Sequence, residues 1–189
     1  MQPLCENDTA FLRHPCPTDQ HEFLALREAS RELHLPWEPL SADGSDPVSP
    51  EAFARFLEGA DSRETQRHLI CRPGDGAIVG YVGLSQIFMG PFCSAYMGYW
   101  VGAPFLRRGH ATAGIRLCLH RAFTALGLHR VEANIIPGNT ASIATARRCG
   151  FRREGYSPRY LSIAGRWQDH ERWAITLEDW EARPGPGGA

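Results

Sequence analysis

Residues 101–112, Val-Gly-Ala-Pro-Phe-Leu-Arg-Arg-Gly-His-Ala-Thr, constrain the fold of this chain more than any other stretch. The apolar, aromatic run 96–101 predicts a strand. Gly102, Ala103 and Pro104 break it, and a helical pattern begins at about Ala111. A strand that turns through Arg107, Arg108 and Gly109 into a helix brings a helix N-terminus to the end of a sheet. The first N–H groups of a helix have no partner within it and sit at the positive end of its dipole, where a phosphate is stabilised. Gly109 lets a ligand approach with no Cβ in the way, and two arginines fork onto phosphate oxygens. The spacing is neither Gly-x-x-x-x-Gly-Lys-Ser/Thr nor Gly-x-Gly-x-x-Gly, so neither common phosphate loop is present. An ordinary loop leading into an ordinary helix is the other reading of the same residues.

The rest of the pattern predicts an α/β sheet with helices on its faces. Residues 1–9 read as a loose start, 10–181 as one domain and 182–189 as a disordered tail. A strand over 10–14 precedes a helix capped at Thr18, whose stripe Phe23, Leu26, Ser30, Leu33 predicts continuity to the prolines at 36 and 39. Ser49-Pro50-Glu51 opens a second helix. Strands over 68–71, 77–87 and 94–101 form an antiparallel meander. A helix to Gly127, a strand over 129–137 and a helix over 140–148 follow. The segments 151–156, 160–163 and 167–176 read as closing strands.

Composition removes several classes of function. A formal net charge of −1 argues against a protein that coats nucleic acid or a membrane surface. The six cysteines are scattered without a C-x-x-C pair, and the eight histidines lack metal-ligand spacing, so reduced thiols and no metal are expected. No leader pattern or bilayer-length apolar run is present, and a cytoplasmic location is expected.

Several short motifs then accumulate in order: Leu35-Pro36-Trp37-Glu38-Pro39, Gly98-Tyr99-Trp100-Val101, residues 107–111, His129-Arg130-Val131-Glu132-Ala133, Gly138-Asn139-Thr140-Ala141-Ser142, Gly150-Phe151, Glu154-Gly155-Tyr156 and residues 165–170. With these the chain resembles the GCN5-related N-acetyltransferases, and within them the RimJ/RimL group of ribosomal-protein-alanine N-acetyltransferases. The resemblance implies a mixed, mostly antiparallel central sheet with helices on both faces and a V-shaped splay between two central strands. It implies acetyl-CoA as co-substrate, with a protein N-terminus or a small amine such as a polyamine or amino-sugar antibiotic as acceptor. A non-catalytic acyl-CoA-binding module is the alternative of a different class, and the chain is expected as a monomer or homodimer.

The resemblance also implies roles for residues. The turn before the long helix binds the cofactor pyrophosphate, through Arg107, Arg108, Gly109, His110, Ala111 and Thr112. Leu106 stands where the family signature has Gln or Arg. Free backbone groups of Tyr99, Trp100 and Val101 pair with the pantetheine arm. Asn139 caps the following helix and touches the arm, while Arg147 reaches a CoA phosphate or is a plain helix-end cation. Ser142 is the acid near the sulfur. The family's glutamate base falls at Arg159, which cannot serve because arginine stays charged. That leaves Glu132 as a base candidate, against an ion pair with Arg130, and Tyr96, Tyr160 and Asp169 behind it. Trp37 and Trp167 read as packing and substrate walls. An unperturbed α-amine has a pKa of about 7.7–8.0 and lysine about 10.4, so an N-terminal acceptor demands less of a base.

Overall fold

Alternating apolar residues and glycine turns build one eight-stranded sheet in this computed structural model, which describes residues 2–39 and 44–183. The elements are β1 (Cys5–Glu6), β2 (Phe11–Arg13), α1 (Gln20–Glu28), α2 (Arg31–His34), α3 (Pro50–Leu57), β3 (Gln66–Cys71) and β4 (Ile78–Phe88). Then come β5 (Ser94–Val101), α4 (His110–Thr124), β6 (Arg130–Ile135), α5 (Thr140–Arg148), β7 (Arg152–Ile163), β8 (Arg166–Thr176) and α6 (Leu177–Glu181). The spatial order is β1-β2-β3-β4-β5-β6-β8-β7. Every pairing is antiparallel except β5 with β6.

Strand alternation sorts the core into two layers. Ile115, Cys118, Leu119 and Ala122 of α4 pack on Ile70, Val131 and Ile175 of one sheet face. Phe23 and Leu26 of α1 and Phe53 of α3 pack on Leu69, Cys71 and Ile78 of the other. Ser49 caps α3 by accepting the Ala52 N–H, as its Ser-Pro-Glu start implies.

Four elements differ from the sequence reading. The start is not loose throughout, since Cys5 and Glu6 pair with Leu12 and Phe11. The first helix breaks at Ser30, whose hydroxyl donates to the Leu26 carbonyl (2.7 Å) and accepts the Ala103 N–H (2.9 Å). That competition with the helix ladder separates α1 from α2. The segments 151–156 and 160–163 are one strand, β7, with a bulge that absorbs Pro158 and left-handed Arg159 (φ 48°). β7 is a sheet edge, where a missing N–H costs least. The α6 turn, closed by a Thr176–Asp179 capping box, has no counterpart in the sequence reading. Residues 184–189 of the expected tail lie outside the described residues.

Candidate active site

The parallel β5–β6 pair opens a cleft. Its ladder has three rungs, Ser94–Arg130, Ala95–Val131 and Tyr96–Glu132. Beyond Tyr96, β5 stays with β4 as far as Val101–Gly80, while β6 stays with β8 as far as Ile135–Glu171. Each arm is held from outside, so the two diverge. The cleft between them has a volume of about 500 Å³ and reaches both sheet faces.

Ladder parity decides which backbone groups of β5 are free. The Gly102 N–H donates to the Val79 carbonyl. Counting back by twos turns Trp100 and Gly98 toward β4, and Tyr99 and Met97 toward the cleft. The expectation that Trp100 offers free backbone groups is therefore corrected. Its ring lines the cleft instead, packed between His34 and Phe23 with the Arg27 guanidinium 5.1 Å above it. Val101 faces the cleft, but its carbonyl already accepts from His34 Nε2 (3.1 Å). His34 Nδ1 in turn accepts from Arg27, which forks onto Glu38 at 2.7 and 2.6 Å. Burial lowers the His34 pKa and keeps the ring neutral. This chain of contacts pins the Leu35–Trp37 turn over one mouth of the cleft, with Trp37 in its lining.

The other mouth holds the helix start. Gly109 caps α4 at φ 81°, and Arg107 is also left-handed at φ 60°. Alternating backbone of this kind turns successive amides to a common side, as in an anion nest. The first ladder bond of α4 runs from Ala113 N–H to Gly109 O, so the N–H groups of His110, Ala111 and Thr112 are unused by the helix. Arg107 and Arg108 are exposed and have no ion pair among the described residues. The His110 imidazole does not join this cradle: it turns inward to the Thr9 carbonyl (3.2 Å) and the Phe105 ring, and burial lowers its pKa. Only its backbone N–H remains for an anion. Leu106, in the departing signature position, lies exposed on the cleft wall.

On the same side Asn139 caps α5, accepting the Ser142 N–H at 3.1 Å. Ser142 Oγ lies 2.7 Å from the hydroxyl of Tyr99, which also donates toward the Ser142 carbonyl (3.2 Å). Burial pushes the Tyr99 phenol up to about 12, so it stays protonated at neutral pH. Asn139, Ser142 and Tyr99 all line the cleft. Arg147 does not: its guanidinium stacks 5.2 Å over Trp173, a packing contact at the far end of α5.

The candidates for a base fare differently. Glu132 sits at the closed end of the V and accepts from Arg130 Nε at 2.8 Å, the ion pair set against its chemical reading. It does not line the cleft. Arg159 is exposed on the β7 bulge, where its N–H donates to Asp169. Asp169 also accepts from Tyr156 (2.5 Å), on the sheet face away from Trp37 and Trp100. The hydrogen bond that Tyr96 donates to Tyr160 pushes the Tyr96 phenol up to about 12. Trp167 is 67% exposed near the β7–β8 turn and walls nothing in the cleft. The residue that sequence reasoning missed is His170, which is 2% exposed and lines the cleft. Only its place inside the 165–170 motif hinted at it.

Among known proteins, a family model for an acetyltransferase (GNAT) domain matches residues 10–152. A probable N-acetyltransferase of Bacillus subtilis, YjcK, is 29% identical over 93% of this chain and 98% of its own length. The ribosomal protein uS5-alanine N-acetyltransferase of Escherichia coli is 32% identical over 57% of this chain and 56% of its own length. Among solved structures, Mycobacterium smegmatis RimJ in complex with CoA-disulfide superposes with a TM-score of 0.83 at 34% identity, covering 90% of this chain and 83% of that one. Sheet, splayed strands and matched residues agree: the chain belongs to the GNAT family of acetyltransferases.

Proposed function

We propose that the protein transfers an acetyl group from acetyl-CoA to the N-terminal α-amine of a protein, such as a ribosomal protein. The observation that carries this reading is the two-mouthed cleft. One mouth has free helix N–H groups, unpaired arginines and the Ser142–Tyr99 hydroxyls; the other has the Trp37 and Trp100 rings. The first suits a pyrophosphate and a thioester, and the free edge of β5 suits the amides of a pantetheine arm. The second suits a peptide end arriving from the opposite sheet face.

Transfer then needs an attacking neutral amine, an oxyanion contact and a proton for the departing thiolate. Ser142 donates that proton, and the Tyr99 hydroxyl hydrogen-bonded to it holds it in position. The E. coli relative, named for alanine N-acetylation of a ribosomal protein, supports the acceptor class. A small amine is the second reading, favoured by a 28% identical relative from Pseudomonas aeruginosa named an L-methionine sulfoximine/L-methionine sulfone acetyltransferase. Six free thiols, with Cys71, Cys118 and Cys149 buried and pushed up by burial, fit a reducing compartment, and the cytoplasm is the proposed location.

The experiment is a screen of the purified protein with acetyl-CoA against free-amine peptides, N-blocked lysine-containing twins, polyamines and amino acids, read by mass spectrometry. Acetylation of peptide N-termini is expected. Faster modification of the lysine twin or of a small amine overturns the acceptor assignment. No turnover of any amine leaves a binding module instead.

A further inference from the structure

The cleft holds a histidine and an amide with open valences, side by side on its acceptor face. His170 Nδ1 lies 3.0 Å from the Gln168 carbonyl. A carbonyl can only accept, so Nδ1 carries the hydrogen, and the tautomer this fixes has its lone pair at Nε2. Nε2 makes no hydrogen bond to the described residues. Asn134 Oδ1 is buried and likewise has no partner. Both residues line the cleft. In the β6–β8 ladder Asn134 stands opposite Arg172, so His170, two residues along β8, is its diagonal neighbour on the same face. That face is the one carrying Trp100, Tyr96 and Tyr160, with the His170 ring 5.7 Å from Tyr160. Ser142 and Tyr99 approach from the opposite face. A buried acceptor atom without a donor carries a free-energy penalty of about 1–3 kcal/mol, which an incoming N–H removes.

We propose that His170 is the general base of the reaction and that Asn134 holds the acceptor nitrogen beside it. This rests on the transferase reading above. The ammonium of the acceptor donates one N–H to Asn134 Oδ1 and one to His170 Nε2. His170 takes that proton and passes it to water. The freed lone pair forms the N–C bond to the thioester carbonyl, and the C–S bond breaks. The thiolate takes a proton from Ser142, and the second proton lost by the nitrogen, carried by water, reprotonates Ser142. Products are the amide, the free thiol and one proton released. The departed glutamate at Arg159 is thus replaced from the neighbouring strand.

The test compares two peptides of one sequence with acetyl-CoA at pH 7. One has an ordinary N-terminal amine; the other has an aminooxy group, whose nitrogen is already neutral. His170→Gln should lower kcat on the amine peptide by about 10²-fold, in the range of a positioned base. On the aminooxy peptide it should change kcat less than threefold. Asn134→Ala should raise KM for both peptides by about tenfold. Acetyl-CoA affinity by calorimetry and the melting temperature should match wild type in both variants. Equal slowing of the two peptides by His170→Gln, or no slowing, overturns the base assignment. If that variant does not fold, unchanged acceptor KM in Asn134→Ala overturns the proposal instead. A wild-type protein that acetylates neither peptide overturns the peptide-acceptor reading, and this proposal with it.

Discussion

Ser142 depends on a neighbour 43 positions away. Its hydroxyl shares a 2.7 Å hydrogen bond with Tyr99, a buried phenol that stays protonated and fixes the hydroxyl at the cleft wall. Ser142→Ala should lower kcat by about 10²-fold, and Tyr99→Phe should follow it in the same direction with a smaller loss. Acetyl-CoA affinity is expected to hold in both. Steady-state kinetics beside calorimetry checks this, and an unaltered kcat in Ser142→Ala removes the residue from the chemistry. Gly109 works through its backbone. At φ 81° a β-branched residue is strained, yet the protein leaves room there: a Cβ would meet nothing nearer than Thr9 Cγ2 at 3.8 Å. Gly109→Val should therefore weaken acetyl-CoA by more than tenfold in a protein that still folds. Calorimetry showing wild-type affinity would contradict the cradle.

At the scale of elements, α5 joins fold and site. Its first turn carries Ser142 and is fixed by the Asn139 side chain. Asn139→Ala should cost about 1 kcal/mol of stability, the ordinary value of an N-cap. It should also lower kcat, because the turn that presents Ser142 loosens. Urea unfolding measures the first and turnover the second; lost stability with unchanged turnover makes the residue a cap only. The bounds of α5 and β5 were legible in the sequence because their signals are local: Asn139 before a small-residue helix, aromatics ending at Gly102. The α1–α2 break was not. Ser30 stops that helix because the Ala103 N–H, far along the chain, claims its hydroxyl.

The whole molecule should lose stability in mild acid. Burial pushes His68 down to about 3 from an ordinary 6.5, outweighing a backbone contact at Val82 that acts the other way. Burial lowers His34 and His110 in the same direction. The unfolded chain therefore binds protons that the folded chain refuses. Stability from these groups is full above about pH 6.5 and is lost as pH falls toward their folded values, by up to about 1.4 kcal/mol per unit for a single group. The paired carboxylates, such as Asp19 and Glu154, are lowered and act only at more acid pH. Urea unfolding at pH 7 and pH 5 should show a clear drop, reduced in His68→Leu. A flat profile over that interval contradicts the buried neutral state.

By itself the sequence determined most of the elements, the turn from β5 into α4 and the family, because strand periodicity, capping residues and a left-handed glycine act over a few positions. It also carried the warning that Arg159 cannot be a base. Only the tertiary structure decided how those parts face one another. Whether Trp100 or Tyr99 turns its amide to the cleft depends on ladder parity with β4, which no residue of β5 encodes alone. Whether Glu132 is free depends on Arg130. Asn134, His170 and Tyr99 line one cleft from three separate strands, and that cleft exists only once two arms of one sheet are held apart by their outer partners.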